Sequence, residues 1–179
     1  MGVDIYLESI WGPFEEKLES EPPPVRCPGQ SPEEFILSMY DRFRATGGYF
    51  RNGYNAGDVM WASGLSWNIV GEMLDKNRYL PVKRARELVE MIEARPLTRD
   101  HVVAHVFGDM CNGHPVMGGI MRMVEEVEQE VTGEVPPPRQ PPTQEEIDSL
   151  VAFLNTRRND LLAILWKSIE LDEPLRCSL

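Results

Sequence analysis

From residue 143 to residue 173 the chain carries no glycine and no proline. Thr143 and Glu146 stand at the spacing of a capping box, in which hydroxyl and carboxylate each satisfy an orphan N–H of the first helical turn. Ile147, Leu150, Val151 and Leu154 then fall at i, i+3, i+4 and i+7, and Leu161, Leu165 and Ile169 extend the apolar stripe. The pattern predicts a helix from 143 to about 172, stopped before Pro174. Such a helix draws most of its stability from packing its apolar stripe, so the rest of the chain must build a core along it.

The same periodicity recurs upstream. Ser31-Pro32-Glu33-Glu34 forms another capping box with proline at the first helical position, followed by Ile36, Met39, Tyr40 and Phe43 on one face. Gly47-Gly48 ends that helix. Ala85, Leu88, Val89 and Ile92 predict a helix after Pro81 that Pro96 stops. Thr98 starts a helix reaching about 111, His114-Pro115 opens one running to about 131, and shorter helices are expected near 55–62 and 66–74. Residues 3–7 alternate weakly and hold Val3, Ile5 and Tyr6, the mark of a short strand. The expected fold is mainly α: a single-domain bundle over residues 1–179 of about six or seven helices, with one short N-terminal strand. Proline-rich loops at about 21–30 and 133–142 divide it, since such runs resist helix.

Composition narrows the function classes. A chain of 179 residues is ample for one core. No apolar run approaches the roughly 20 residues that span a bilayer. Asp4 stands where a signal peptide needs basic residues, Tyr6 departs from the myristoylation pattern that Gly2 suggests, and Cys177 lies too near the end for prenylation. The three cysteines, Cys27, Cys111 and Cys177, are no disulfide framework, and reduced thiols in the cytoplasm are the simplest reading. A formal net charge of −11 repels phosphate backbones and disfavours general nucleic-acid binding. No phosphate loop, dinucleotide fingerprint, nucleophile elbow or Cys-x-x-Cys is present, and no cofactor is implied.

The segment 46–67 stands apart. Its glycines, rings and amides follow neither helix nor strand propensity. Tyr49, Phe50, Tyr54, Trp61 and Trp67 supply aromatic walls, and Arg51 supplies a fork for a carboxylate or phosphate. Asn52, Asn55 and Asp58 supply polar groups, and Asp4, with Glu8, can join them. Together these are the parts of a recognition pocket for a small anionic ligand or a segment of a protein partner. The competing reading makes Trp61 and Trp67 core anchors, Asn55 a helix cap, and Arg51 the partner of Asp58 or Asp4. A non-catalytic binding protein is the leading expectation. An enzyme would use Asp58 or Asp4 as base, Arg51 as clamp and Tyr49 or Tyr54 as proton donor.

His101 and His105 are four apart, one helical face, and with Cys111 or Asp109 and His114 would make a tetrahedral zinc site. No glutamate follows His101, and an unbroken helix turns His105 and Cys111 to nearly opposite sides, so a hydrogen-bonded histidine pair flanking an apolar stripe is preferred. An acidic decoy or immunity-type protein for a basic partner is the remaining alternative. The opening Met1-Gly2-Val3-Asp4-Ile5, with Glu8 shortly after, resembles small bacterial and phage proteins that begin Met-Gly-x-Asp-Ile, many with His where this chain has Tyr6. The resemblance covers residues 1–8 and implies no particular activity.

Overall fold

The capping box forms as its spacing predicts. Thr143 Oγ1 accepts the Glu146 backbone N–H at 3.3 Å, and the Glu146 carboxylate accepts the Thr143 N–H at 2.7 Å. The computed structural model describes residues 3–22, 25–31, 35, 38, 42–52, 59–102 and 143–178. In chain order its elements are β1 (Val3–Tyr6), α1 (Glu8–Ser20), β2 (Tyr49–Asn52), α2 (Val59–Ala62) and α3 (Trp67–Met73). They continue with β3 (Tyr79–Leu80), α4 (Val82–Glu93), α5 (Arg99–Val102), α6 (Gln144–Leu171) and β4 (Leu175–Ser178).

The strands form one four-stranded sheet in the order β2-β1-β4-β3, with every neighbouring pair antiparallel. The protein is therefore mixed α/β, and the expected bundle of helices is corrected. The expected N-terminal strand exists, and it is central: β2 flanks it on one side and β4 on the other. Outside β1 the strands are two to four residues long, too short for alternation alone to identify them, and their partners are remote in sequence.

The strands alternate cleanly across the sheet. Val3, Ile5, Phe50, Leu80, Leu175 and Cys177 face the core, while Tyr6, Tyr49, Tyr79 and Arg176 are turned the other way. Against the inner face pack Ala85, Leu88, Val89 and Ile92 of α4 and Leu161, Ile164 and Leu165 of α6, in one cluster with Ile5 and Phe50. The predicted stripe of α4 is thus the buried one. In the first half of α6, Leu154 packs with Leu97 and Val102, and Leu150 and Val151 lie against them. Asp172 ends α6 in the left-handed region at φ 52°, and its N–H donates to Ser168.

Leu7, at the N-cap of α1, has no capping side chain. Glu173, on the link from α6 to β4, accepts the Ser9 N–H at 3.0 Å instead and ties α1 to β4. Gly48 permits the close approach of α1 to β2, because a Cβ there would stand 2.5 Å from Ile10 Cγ2. The helices expected over 31–43, beyond 102 and over 114–131, and the proline-rich stretch 133–142, lie wholly or largely outside the described residues.

Replacing Thr143 by Ala is expected to cost the ~1 kcal/mol typical of a lost N-cap. The two Thr143 hydrogen bonds hold the Glu146 carboxyl below its ordinary value. Its contribution is therefore present above the ordinary carboxylate range and is lost as pH falls through the lowered folded value. Urea midpoints at neutral and acid pH should show the T143A penalty shrinking in acid. An equal penalty at both would assign the cap to the hydroxyl alone.

Candidate functional site

Strand alternation divides the aromatic segment. Phe50, 1% exposed, and Asn52 turn into the interior, while Tyr49 and Arg51 turn to the outer face. Trp67 is half-buried against Phe50, with ring centroids 6.4 Å apart, and its Nε1 has no hydrogen-bond partner among the described residues. Tyr54, Asn55 and Asp58, and the Trp61 side chain, lie outside the described residues. Among the described residues of segment 46–67, Phe50, Asn52 and Trp67 serve packing, and Tyr49 and Arg51 face away from them.

On the outer face the register sets Asp4 directly opposite Arg51. The Tyr49 hydroxyl donates to Asp4 Oδ1 at 2.5 Å, and Arg51 Nη1 lies 3.5 Å from the same oxygen. Burial, then the hydrogen bond to Asp4, pushes the Tyr49 phenol well above its ordinary value, and Arg51 offsets this only in part. Tyr49 is consequently a fixed hydroxyl donor and a poor source of a proton at neutral pH. Packing holds its ring. Trp11 of α1 stacks on it at 4.7 Å and 23°, and Phe43 meets both rings edge-on.

The outer edge of β2 is closed from α6. Arg157 donates to the Arg51 carbonyl, covers the Phe50 ring at 4.7 Å, and pairs with Asp160 at 3.1 Å. Asp160 also accepts from Arg44 at 2.7 Å. A guanidinium on an edge carbonyl blocks strand addition at that point. Burial lowers the Arg157 pKa, with Asp160 acting in the opposite direction.

A second polar group stands farther along the same face. The Tyr79 hydroxyl and Arg176 Nη1 both donate to Glu8 Oε1, at 2.8 and 3.0 Å. These two hydrogen bonds, Tyr79's the larger, lower the Glu8 pKa. Arg176 is paired across the strands with both Tyr6 and Tyr79, and its guanidinium lies 6.0 Å from the Tyr6 ring centroid. The sequence points to Asp4, Glu8, Tyr49 and Arg51 but not to Trp11, Tyr79, Arg157 and Arg176. The last three join the site through contacts between residues 71 to 168 positions apart. The alternation of Leu175-Arg176-Cys177-Ser178 was the one local signal for Arg176.

His101 belongs to α5, its side chain undescribed, and His105, Asp109, Cys111 and His114 lie outside the described residues. Among the described residues no three His, Cys, Asp or Glu side chains are grouped to hold a metal ion. No described helix is long and apolar enough to cross a membrane. Fold and site together define a mixed α/β protein whose sheet buries one face and carries Tyr, Arg and carboxylate groups on the other, where α1 packs against them. Comparison with family models, curated proteins and solved structures finds no match.

Proposed function

We propose that this chain is a non-catalytic interaction protein that docks a protein partner through the outer face of its sheet. The observation that carries this reading is the Tyr49–Asp4–Arg51 group, standing on a sheet face beside Tyr6, Tyr79 and Arg176. Tyr, Trp and Arg are the residues on which interface energy concentrates. Trp11 of α1 covers the Tyr49 ring, while the Arg51 and Arg176 side chains stay 40% and 51% exposed, within reach of a partner. An enzyme with Asp4 as base is less well supported, because Asp4 Oδ1 is engaged by two donors and Tyr49 is held protonated. The decoy reading draws only on the net charge of −11, with acids carried by α1 (Glu15, Glu16, Glu19), α4 (Glu87, Glu90, Glu93) and α6 (Glu145, Glu146, Asp148). A cytoplasmic location is the companion proposal, supported by the free thiols of Cys27 and Cys177.

Panning a displayed random-peptide library against the wild-type chain, then assaying the clones on variants, tests the docking face. Arg51→Ala should weaken the selected peptides at least about tenfold while leaving the thermal midpoint nearly unchanged, with Arg51→Lys intermediate. Clones indifferent to Arg51→Ala, or a variant that unfolds, would remove the reading.

A further inference from the structure

Tyr6, Tyr49 and Tyr79 of the outer face all meet α1. The Trp11 ring stacks on Tyr49 at 4.7 Å, its centroid lies 6.1 Å from that of Tyr6, and Glu8 accepts the Tyr79 hydroxyl at 2.8 Å. The helix that makes these contacts is only lightly held. All 13 of its residues are described and none is buried, and Ile10 is the one that packs against the main core cluster. The ion pairs at its two ends join exposed side chains: Glu8 with Arg176 at 3.0 Å, and Glu21, its C-cap, with Arg42 at 3.2 Å. Pairs of this kind contribute little.

α1 also depends on the rest of the chain to be a helix. Leu7 offers its first turn no capping side chain, Pro13 removes an internal donor, and a helix of 13 residues is marginal in water on its own. The missing cap is supplied by Glu173, which accepts both the Ser9 N–H, at 3.0 Å, and the Ser9 hydroxyl. Glu173 is itself fixed: its N–H donates to the Ser168 carbonyl at 3.0 Å, and its carbonyl accepts the Ser168 hydroxyl. Resting on the docking reading above, we infer that α1 is an autoinhibitory strap, which occupies the outer sheet face and leaves it as a unit, losing its helix with the Glu173 cap, to open Tyr6, Tyr49 and Tyr79 to the partner. The hinge is Leu7, 0% exposed and tied through its N–H to the Gly48 carbonyl at 3.0 Å, so it stays with the sheet. The partner binds the open fraction, and its apparent affinity is the intrinsic affinity scaled by that fraction. While the closed form dominates, a change that makes opening about tenfold easier therefore tightens binding by about the same factor.

Hydrogen exchange followed by mass spectrometry on the full chain reads the opening without a partner. In the wild type the α1 amides should exchange at least about tenfold faster than those of α4, and Glu173→Ala should quicken α1 about tenfold more while α4 keeps its rate. Glu173→Gln, which keeps an acceptor for the Ser9 N–H, should stay near the wild type. Glu8→Gln loosens the tie to Arg176 and should act in the same direction as Glu173→Ala, so the test stands even if Glu173→Ala fails to fold. Library-selected peptides that depend on Arg51 should bind each loosened variant more tightly, by the factor by which its α1 exchange quickens. α1 amides as protected as those of α4, exchange quickened equally in both helices, or peptide affinities unchanged while α1 opens would each overturn the strap and leave the docking reading intact. Peptides indifferent to Arg51→Ala would remove the docking reading, and the inhibition with it, whatever exchange shows of α1.

Discussion

Deleting residues 175–178 should abolish cooperative folding, with the urea transition lost or reduced to a gradual slope. β4 stands between β1 and β3, so its removal leaves the two-residue β3 without a strand neighbour and β1 with one side open. Leu175 is 0% and Cys177 2% exposed, and both belong to the main core cluster. Burying side chains of this kind contributes about 1.5–3 kcal/mol each, and lost ladder hydrogen bonds add ~1 kcal/mol apiece. Domains have only about 5–15 kcal/mol in total. The strand carries its own reporter, since burial pushes the Cys177 thiol up to about 12. Being raised in the fold, that pKa makes stability fall as pH climbs from the ordinary thiol value toward the folded one. With Cys27 and Cys111 changed to Ser, Cys177 should resist thiol reagents at about pH 8 and react once Leu175→Ala loosens the strand. A sharp, unshifted urea transition in the deletion variant would show that β4 is dispensable.

Phe50→Ala should be the most damaging substitution in the aromatic segment, costing ~3–5 kcal/mol. Its ring is 1% exposed, lies under the Arg157 guanidinium at 4.7 Å and packs on Trp67. Truncation removes the apolar surface and leaves a half-buried cation over a void. Phe50→Leu should recover much of the loss by refilling that space. The neighbouring Arg51→Ala removes a side chain from the outer face and should shift the denaturation midpoint little. Chemical denaturation of the three variants checks the contrast. Equal losses for F50A and R51A would mean that the two faces of β2 are not energetically distinct.

That contrast marks what could be read in advance. Tyr49, Phe50 and Arg51 stand out together in the sequence because a glycine-bounded aromatic run has no helical explanation. Which of them faces inward was illegible, since a strand's faces are assigned by its neighbours. Asp4 was named as a candidate pair for Arg51 and is its cross-strand partner. Tyr79 and Arg176 do not stand out with them, because neither lies near the segment in sequence.

The sequence by itself determined the stripes of α4 and α6, the Thr143 box and the stop before Pro174, but not α1, for which no helix is expected. Helical hydrogen bonds join residues four apart, so caps and periodicity are written locally. Only the tertiary structure decided the sheet. β1 and β4 lie side by side although nearly the whole chain separates them, and that pairing set which side chains make the core and which stand on the outer face.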